Sequence, residues 1–343
     1  MSMALDLGSS RFRTLRREGR RLVGRQTRTA YLAVADSPAH VRLLNQAHVT
    51  SVRADDAHLV LGTDAEHLAV ALGQPLLPLL PEGRLPEADP LARQLTAELL
   101  HGLIGARGDQ SPRTASLILP GDATPGSPLH DFVVHLLNLQ GLAPKIITSN
   151  EAICLAELGS EQFTGIVLRM GASDAGLALV EHGNAQTIVD VPCGGDWIDR
   201  RLAEELEQTL YDHRGECFLD LIGVRSWKHI PERSLSAPST DADEVLVQAY
   251  REILAALLGR FRSAVVRDGT NGARRRPLSL VCQGGPTIVP GFAELLMHLW
   301  RQADIDLPVA GLRVCRDPLW TAARGCLIHA EVARPVSEGR HVA

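Results

Sequence analysis

The feature that most constrains this chain is a short hairpin that occurs twice. At the N-terminus Ala4–Leu7 runs into Gly8-Ser9-Ser10, and a polar-alternating run, Arg11–Arg17, then leads to a turn at Glu18-Gly19. Apolar residues broken by small ones and followed by a second alternating run predict two antiparallel strands joined by a tight glycine turn. The shape returns in the second half. Val167-Leu168-Arg169-Met170 precedes Gly171-Ala172-Ser173, the strand Leu177–Val180 and the turn Glu181-His182-Gly183. Superposed, Leu5 falls on Leu168, Gly8 on Gly171, Ser10 on Ser173 and Glu18 on Glu181. An internal repeat of so long a period predicts two related domains rather than a solenoid.

What lies between the hairpins fits that scheme. Ala115–Leu119 reads as a buried strand ending at Pro120-Gly121, and Leu129, Phe132, Val133, Leu136 and Leu137 recur at helical spacing up to Gly141. Lys145–Thr148 reads as a short strand and Asn150–Leu158 as a helix. In the second half a helix is expected over Trp197–Leu210, with Asp196 as its N-cap, and a long amphipathic one over about Glu244–Val266. Leu278–Cys282 is an apolar strand entering Gln283-Gly284-Gly285-Pro286, Phe292–Trp300 a helix, and Ser234–Asp243 and Asp268–Pro277 polar loops. Strands alternating with helices in both halves make this an α/β chain, and 343 residues leave room for two domains.

Composition narrows the function. With 35 Lys+Arg against 40 Asp+Glu the net charge is −5, which argues against a general nucleic-acid binder. No apolar run approaches the length of a membrane span, and Met1–Asp6 lacks the basic and apolar regions of a signal peptide, so the expected compartment is the cytoplasm. The 6 cysteines show no CxxC spacing and the 13 histidines no HExxH, so neither a disulfide framework nor a structural zinc site is expected. Lys145 and Lys228 are the only lysines, which excludes a catalytic lysine near the first hairpin.

A Gly/Ser turn between strands lines up backbone N–H groups on a concave face that suits phosphate oxygens. Two facing turns would clamp a di- or triphosphate from both sides. On these residues the chain resembles the superfamily of actin, MreB and the DnaK-type chaperones. Asp6-Leu7-Gly8-Ser9-Ser10 resembles the first phosphate motif, and Arg169-Met170-Gly171-Ala172-Ser173-Asp174 stands at the second. Val281-Cys282-Gln283-Gly284-Gly285-Pro286, backed by Pro290-Gly291-Phe292, is similar to the adenosine motif. Cys193-Gly194-Gly195-Asp196 resembles the Gly-Gly-Asp element, and Asp317-Pro318-Leu319-Trp320 with Ala323-Arg324-Gly325 the closing helix. The compact layout is most like MreB.

The resemblance implies duplicated actin-like (ribonuclease H-like) domains flanking a nucleotide cleft. Domain I would cover 1–147 and domain II 148–343, with the last helix, about 318–332, packing back on domain I. ATP would be held by Gly8, Ser9, Ser10 and Arg13, by Gly171, Ala172, Ser173 and Asp174, by Gly195 and Asp196, and by Gly284, Gly285 and Pro286. Asp6 would serve catalysis by holding Mg2+, and Glu151 would orient the attacking water. Two departures weaken that picture. Arg169 replaces the second metal-holding aspartate, and a unit charge about 5 Å from a cation matters by roughly 3 kcal/mol at an effective dielectric near 20. It either weakens divalent-metal binding or pairs with a phosphate itself. The proline that follows the catalytic glutamate in MreB is absent after Glu151, whose carboxylate could equally just compensate the helix dipole.

Several residues keep two readings. Asp174 could ligate metal or repel a phosphate, and Arg13 could serve phosphate or be a solvated strand arginine. Lys228, Glu232 and Arg233 stand where the family's adenine-contacting helix lies, although Pro231 interrupts it. Pro75–Pro81 is either a membrane-inserting loop or, preferred, a buried crossing, and Arg274-Arg275-Arg276 is read as solvated surface. The expected function is an ATP-binding, self-assembling actin-like protein with weak or absent hydrolysis. The alternatives are a pseudo-ATPase scaffold or regulator with protein partners, and a sugar-kinase-like enzyme. Peripheral membrane contact has no support in the residues.

Overall fold

The computed structural model describes residues 2–105, 114–269 and 276–333. Arg274 and Arg275, the first two residues of the arginine run, lie outside them. Two five-stranded sheets carry the architecture. In the first, the spatial order is Arg21–Arg28, Arg11–Glu18, Ser2–Leu7, Thr114–Ile118, Pro144–Ile146. The second repeats it as Asn184–Val191, Ala175–Glu181, Gly165–Met170, Leu278–Gln283, Val309–Val314. In each sheet an antiparallel meander of three strands is continued by two parallel ones. Ser2–Leu7 and Gly165–Met170, the strands at which the sense changes, are buried along their whole length, as expected of central strands covered on both faces.

A third layer lies between the sheets. The helices Ser149–Glu157 and Thr321–Val332 pack on each other there, in a core that joins Ala4, Ile118, Val167 and Val281 from both sheets to Ile153, Cys326 and Leu327. Their close approach requires Gly325, where a Cβ would lie 1.7 Å from the Ala152 carbonyl oxygen. The later helix also reaches the first sheet, with Ser116 Oγ and His329 Nδ1 hydrogen-bonded at 2.8 Å and Arg17 on Glu331 at 2.7 Å.

The halves differ in what they insert. The first carries a small antiparallel sheet, Ser51–Ala54, Ala57–Leu61, Ala30–Ala35 and Leu77–Pro78, over its own core of Leu32, Val34, Leu44, Val60 and Leu68. The second carries Gly195–Glu205, Leu221–Lys228 and the long helix Asp241–Arg267, which buries Tyr250, Leu254, Leu257 and Phe261. That helix starts inside the stretch expected to be loop because Thr240 and Asp243 form a capping box. The helix expected over Trp197–Leu210 runs Gly195–Glu205, capped at Gly194 rather than Asp196, and Thr209–Tyr211 pairs as a strand with Cys217–Leu219. In the Pro75–Pro81 stretch Leu79 and Leu80 are buried in the core of the first half, which supports a crossing rather than an exposed loop. No helix among the described residues is long and apolar enough to cross a membrane.

Candidate functional site

A cleft of about 530 Å³ lies between the halves, lined by both hairpin turns, Gly195-Asp196, Gly284–Pro286 and Ile288–Pro290. The two turns are built alike. Gly8 N donates to Arg11 O at 3.0 Å and Gly171 N to Asp174 O at 2.8 Å, closing a four-residue loop between the paired ends Leu7 and Phe12 in one case and Met170 and Ala175 in the other. The N–H groups of Ser9, Ser10, Ala172 and Ser173 donate to no described residue. The turns also meet: Ser9 Oγ donates to Ser173 Oγ across the cleft at 3.1 Å.

The third turn is pressed against the second. Gly284 has φ 118°, and a Cβ there would sit 1.9 Å from Met170 O, so only glycine lets the strand leave beside the second hairpin. Tyr250 donates its hydroxyl to Pro286 O at 2.9 Å from the long helix beneath. Gly195 N and Asp196 N donate to Gly171 O and Ala172 O at 2.9 and 2.8 Å. The Gly-Gly-Asp element therefore braces the second turn from behind, and those two N–H groups are taken.

At the hairpin end the charges are arranged around Arg169. Its side chain is 6% exposed, and its terminal nitrogens pair with Asp174 and, at 2.7 Å, with Asp190, while Asp122 from the first half lies at 4.0 Å. Burial alone would lower its pKa, but the surrounding carboxylates of Asp174, Asp122 and Asp190 outweigh it and hold the guanidinium charged. Asp6, opposite, is buried and pairs with Arg13 Nη1 at 3.4 Å; burial pushes its pKa up, and Arg13 offsets part of that. Arg13 is thus a partner of Asp6 in the cleft wall, not a solvated strand residue. Asp122 accepts from Ser149 N and Ser149 Oγ, both at 2.9 Å. Glu151 does not line the cleft. Its Oε2 accepts from Thr148 N at 3.1 Å and Thr148 Oγ1 at 2.8 Å in a capping box at the start of its helix.

These residues do not fit a divalent ion. Where the second carboxylate would stand there is a guanidinium, and each neighbouring acid is engaged by it, by Arg13 or by Ser149. Among the described residues no group of three or more His, Cys, Asp or Glu side chains converges to hold a metal.

Further charges line the cleft. Arg28, buried, donates to Ser10 Oγ and approaches Glu66 at 3.5 Å. Lys228 is buried on Asp199, and Arg225 bridges Asp196 and Asp199 at 2.8 Å each. Burial raises the Asp199 carboxyl to about 6 despite Lys228. Arg233 turns away, pairing with Asp243 at 3.0 Å over the Trp227 ring. Neither it nor Glu232 lines the cleft, whereas Lys228 does. Asp122, Ser149, Asp190, Arg28 and Arg225 carried no signal of their own in the sequence, each being a single polar residue on an element far along the chain from its partner.

Duplicated sheets of one topology, with three glycine turns converging on the cleft between them, define a protein of the actin-like fold. The chain belongs to the Volactin family, whose model matches residues 1–330. Among solved structures it is similar to MamK in a double helical filament, at 14% identity and a TM-score of 0.65 over 96% of this chain and 99% of that one. MreB5 of Spiroplasma citri bound to AMPPNP matches at 14% identity and 0.65, over 96% of each chain. EutJ from Carboxydothermus hydrogenoformans matches at 14% and 0.51, over 95% and 88%. No curated protein sequence matches. Identities this low carry the fold alone.

Proposed function

We propose that this chain is an actin-like nucleotide-binding protein that assembles with copies of itself, with weak or absent ATP hydrolysis. The observation that carries the reading is the pair of identically closed Gly/Ser turns facing one another across the cleft. The unengaged N–H groups of Ser9, Ser10, Ala172 and Ser173 are suited to phosphate oxygens, and the glycine turn at 284–285 leaves backbone open to a base and ribose. Entry of a polyphosphate would require the Ser9–Ser173 contact to part, which links occupancy to the relative position of the halves. The relatives point the same way: MamK forms a double helical filament, and MreB5 of Spiroplasma citri is bound to AMPPNP.

Weak or absent turnover follows from the chemistry. Glu151 is held in its capping box outside the cleft, and among the described residues each carboxylate that lines the cleft is held in an ion pair, so no base is poised to activate water. Titration calorimetry with ATP and electron microscopy with and without nucleotide test the proposal. Micromolar binding and nucleotide-dependent filaments are expected, with little phosphate released. The absence of both heat and filaments at millimolar ATP would leave the second reading, a pseudo-ATPase scaffold, which the closed Ser9–Ser173 contact favours.

A further inference from the structure

We infer that Arg169 is a built-in replacement for a divalent cation, tying the second hairpin to its own sheet and to the first half without metal. Three elements bring acids to one guanidinium. Asp174 comes from the second turn, Asp190 from the third strand of the same meander, and Asp122 from the Pro120–Asp122 turn of the other half. Asp122 is in turn fixed by both the backbone and the hydroxyl of Ser149, at the start of the central helix. A planar cation with several donors suits a cluster of carboxylates approaching from different directions, where a lysine would reach as a single point charge.

The surroundings are shaped for this side chain. Gly176 stands directly opposite Asp190 in the sheet. A Cβ at 176 would fall 2.4 Å from Asp190 Oδ1 and 2.9 Å from Arg169 Nε. The strand has given up a side chain where the ion pair passes, although its backbone is in no conformation that demands glycine. That vacated space shows the arginine to be accommodated by its neighbours rather than a lone substitution in a metal site. A divalent ion entering beside it would meet a fixed positive charge and acids already neutralised.

The inference stands or falls separately from the nucleotide reading above. The test is thermal unfolding of the wild type and of Arg169→Ala, in chelator, in millimolar Mg2+ or Mn2+, and in sodium chloride of matched ionic strength. The wild type should show the same Tm in all three. Arg169→Ala should melt roughly 5–10 °C lower, because three carboxylates lose their counter-charge. It should recover in millimolar divalent ion or ethylguanidinium but not in sodium chloride. A wild type stabilised by several degrees in Mg2+ overturns the inference, as does an Arg169→Ala protein that melts like the wild type. If the alanine variant does not fold, Mn2+ calorimetry on the wild type decides: no binding is expected, and binding at micromolar concentration overturns it. A parallel ATP titration in chelator and in Mg2+ separates the two claims. Equal affinity in both supports this inference, tighter binding in Mg2+ overturns it, and no binding in either sinks the nucleotide reading alone.

Discussion

Gly176 and Arg169 have to be considered together, because the first exists where the second needs space. Alanine in a strand is ordinarily no worse than glycine, since glycine has more conformational freedom to lose on folding. At 176 the sign should reverse: the added methyl meets Asp190 and Arg169, and Gly176→Ala should cost about 1–3 kcal/mol, read as a lower urea midpoint with an unchanged slope. A stabilised variant would mean the ion pair is looser than it stands here. Asp199 offers a second residue-scale prediction. Burial raises its carboxyl to about 6 from an ordinary value of 3.8, so the folded protein holds this proton more tightly than the unfolded chain does. Its contribution to stability is then greatest below the unfolded value and falls as pH rises towards 6. Asp199→Asn cannot ionise, so its stability relative to wild type should improve between pH 4 and 6. A relative decline over that window, in urea melts at several pH values, would show that Lys228 outweighs burial.

At the scale of elements, the central helix Ser149–Glu157 separates what the sequence discloses from what it withholds. Its position and length are legible in Asn150–Leu158, and so is the carboxylate at its start. One carboxylate can face the cleft or close a capping box, and the spacing Thr148-x-x-Glu151 suits the second use as well as a catalytic one. Glu151→Ala should therefore cost about 1 kcal/mol of stability while leaving any slow phosphate release unchanged; a loss of release without loss of stability would restore the catalytic assignment. The three glycine turns were legible because runs of small residues between apolar ones have few other uses, and the substitution at 169 because it breaks a pattern. The partners of Arg169 were not, since Asp122 and Asp190 reach it only through the folding of separate strands. The small sheet of the first half also went unread. Its strands Ser51–Ala54 and Ala57–Leu61 are short, and the exposed edge residues Val52 and Arg53 give no clean alternation.

At the scale of the molecule, the halves are joined at two levels. The helices Ser149–Glu157 and Thr321–Val332 form the permanent joint between the sheets, while Ser9–Ser173 and Asp122–Arg169 close the cleft above it. If a polyphosphate passes between the turns, the upper contacts must open while the lower ones hold. A disulfide should then decide whether the cleft works. Ser9 Oγ and Ser173 Oγ are 3.1 Å apart, so cysteines at both positions need only a small approach to reach bonding distance. Of the native thiols only Cys217 is exposed, and it would be replaced by serine to keep the cross-link unique. Oxidised Ser9→Cys/Ser173→Cys protein should bind ATP at least about tenfold more weakly than the same protein reduced, a difference of ~1.4 kcal/mol or more by calorimetry. Equal affinity in both states would mean that nucleotide does not enter between the turns. If the reduced protein binds but the locked one neither binds nor forms filaments, opening of this contact is the step by which nucleotide governs assembly.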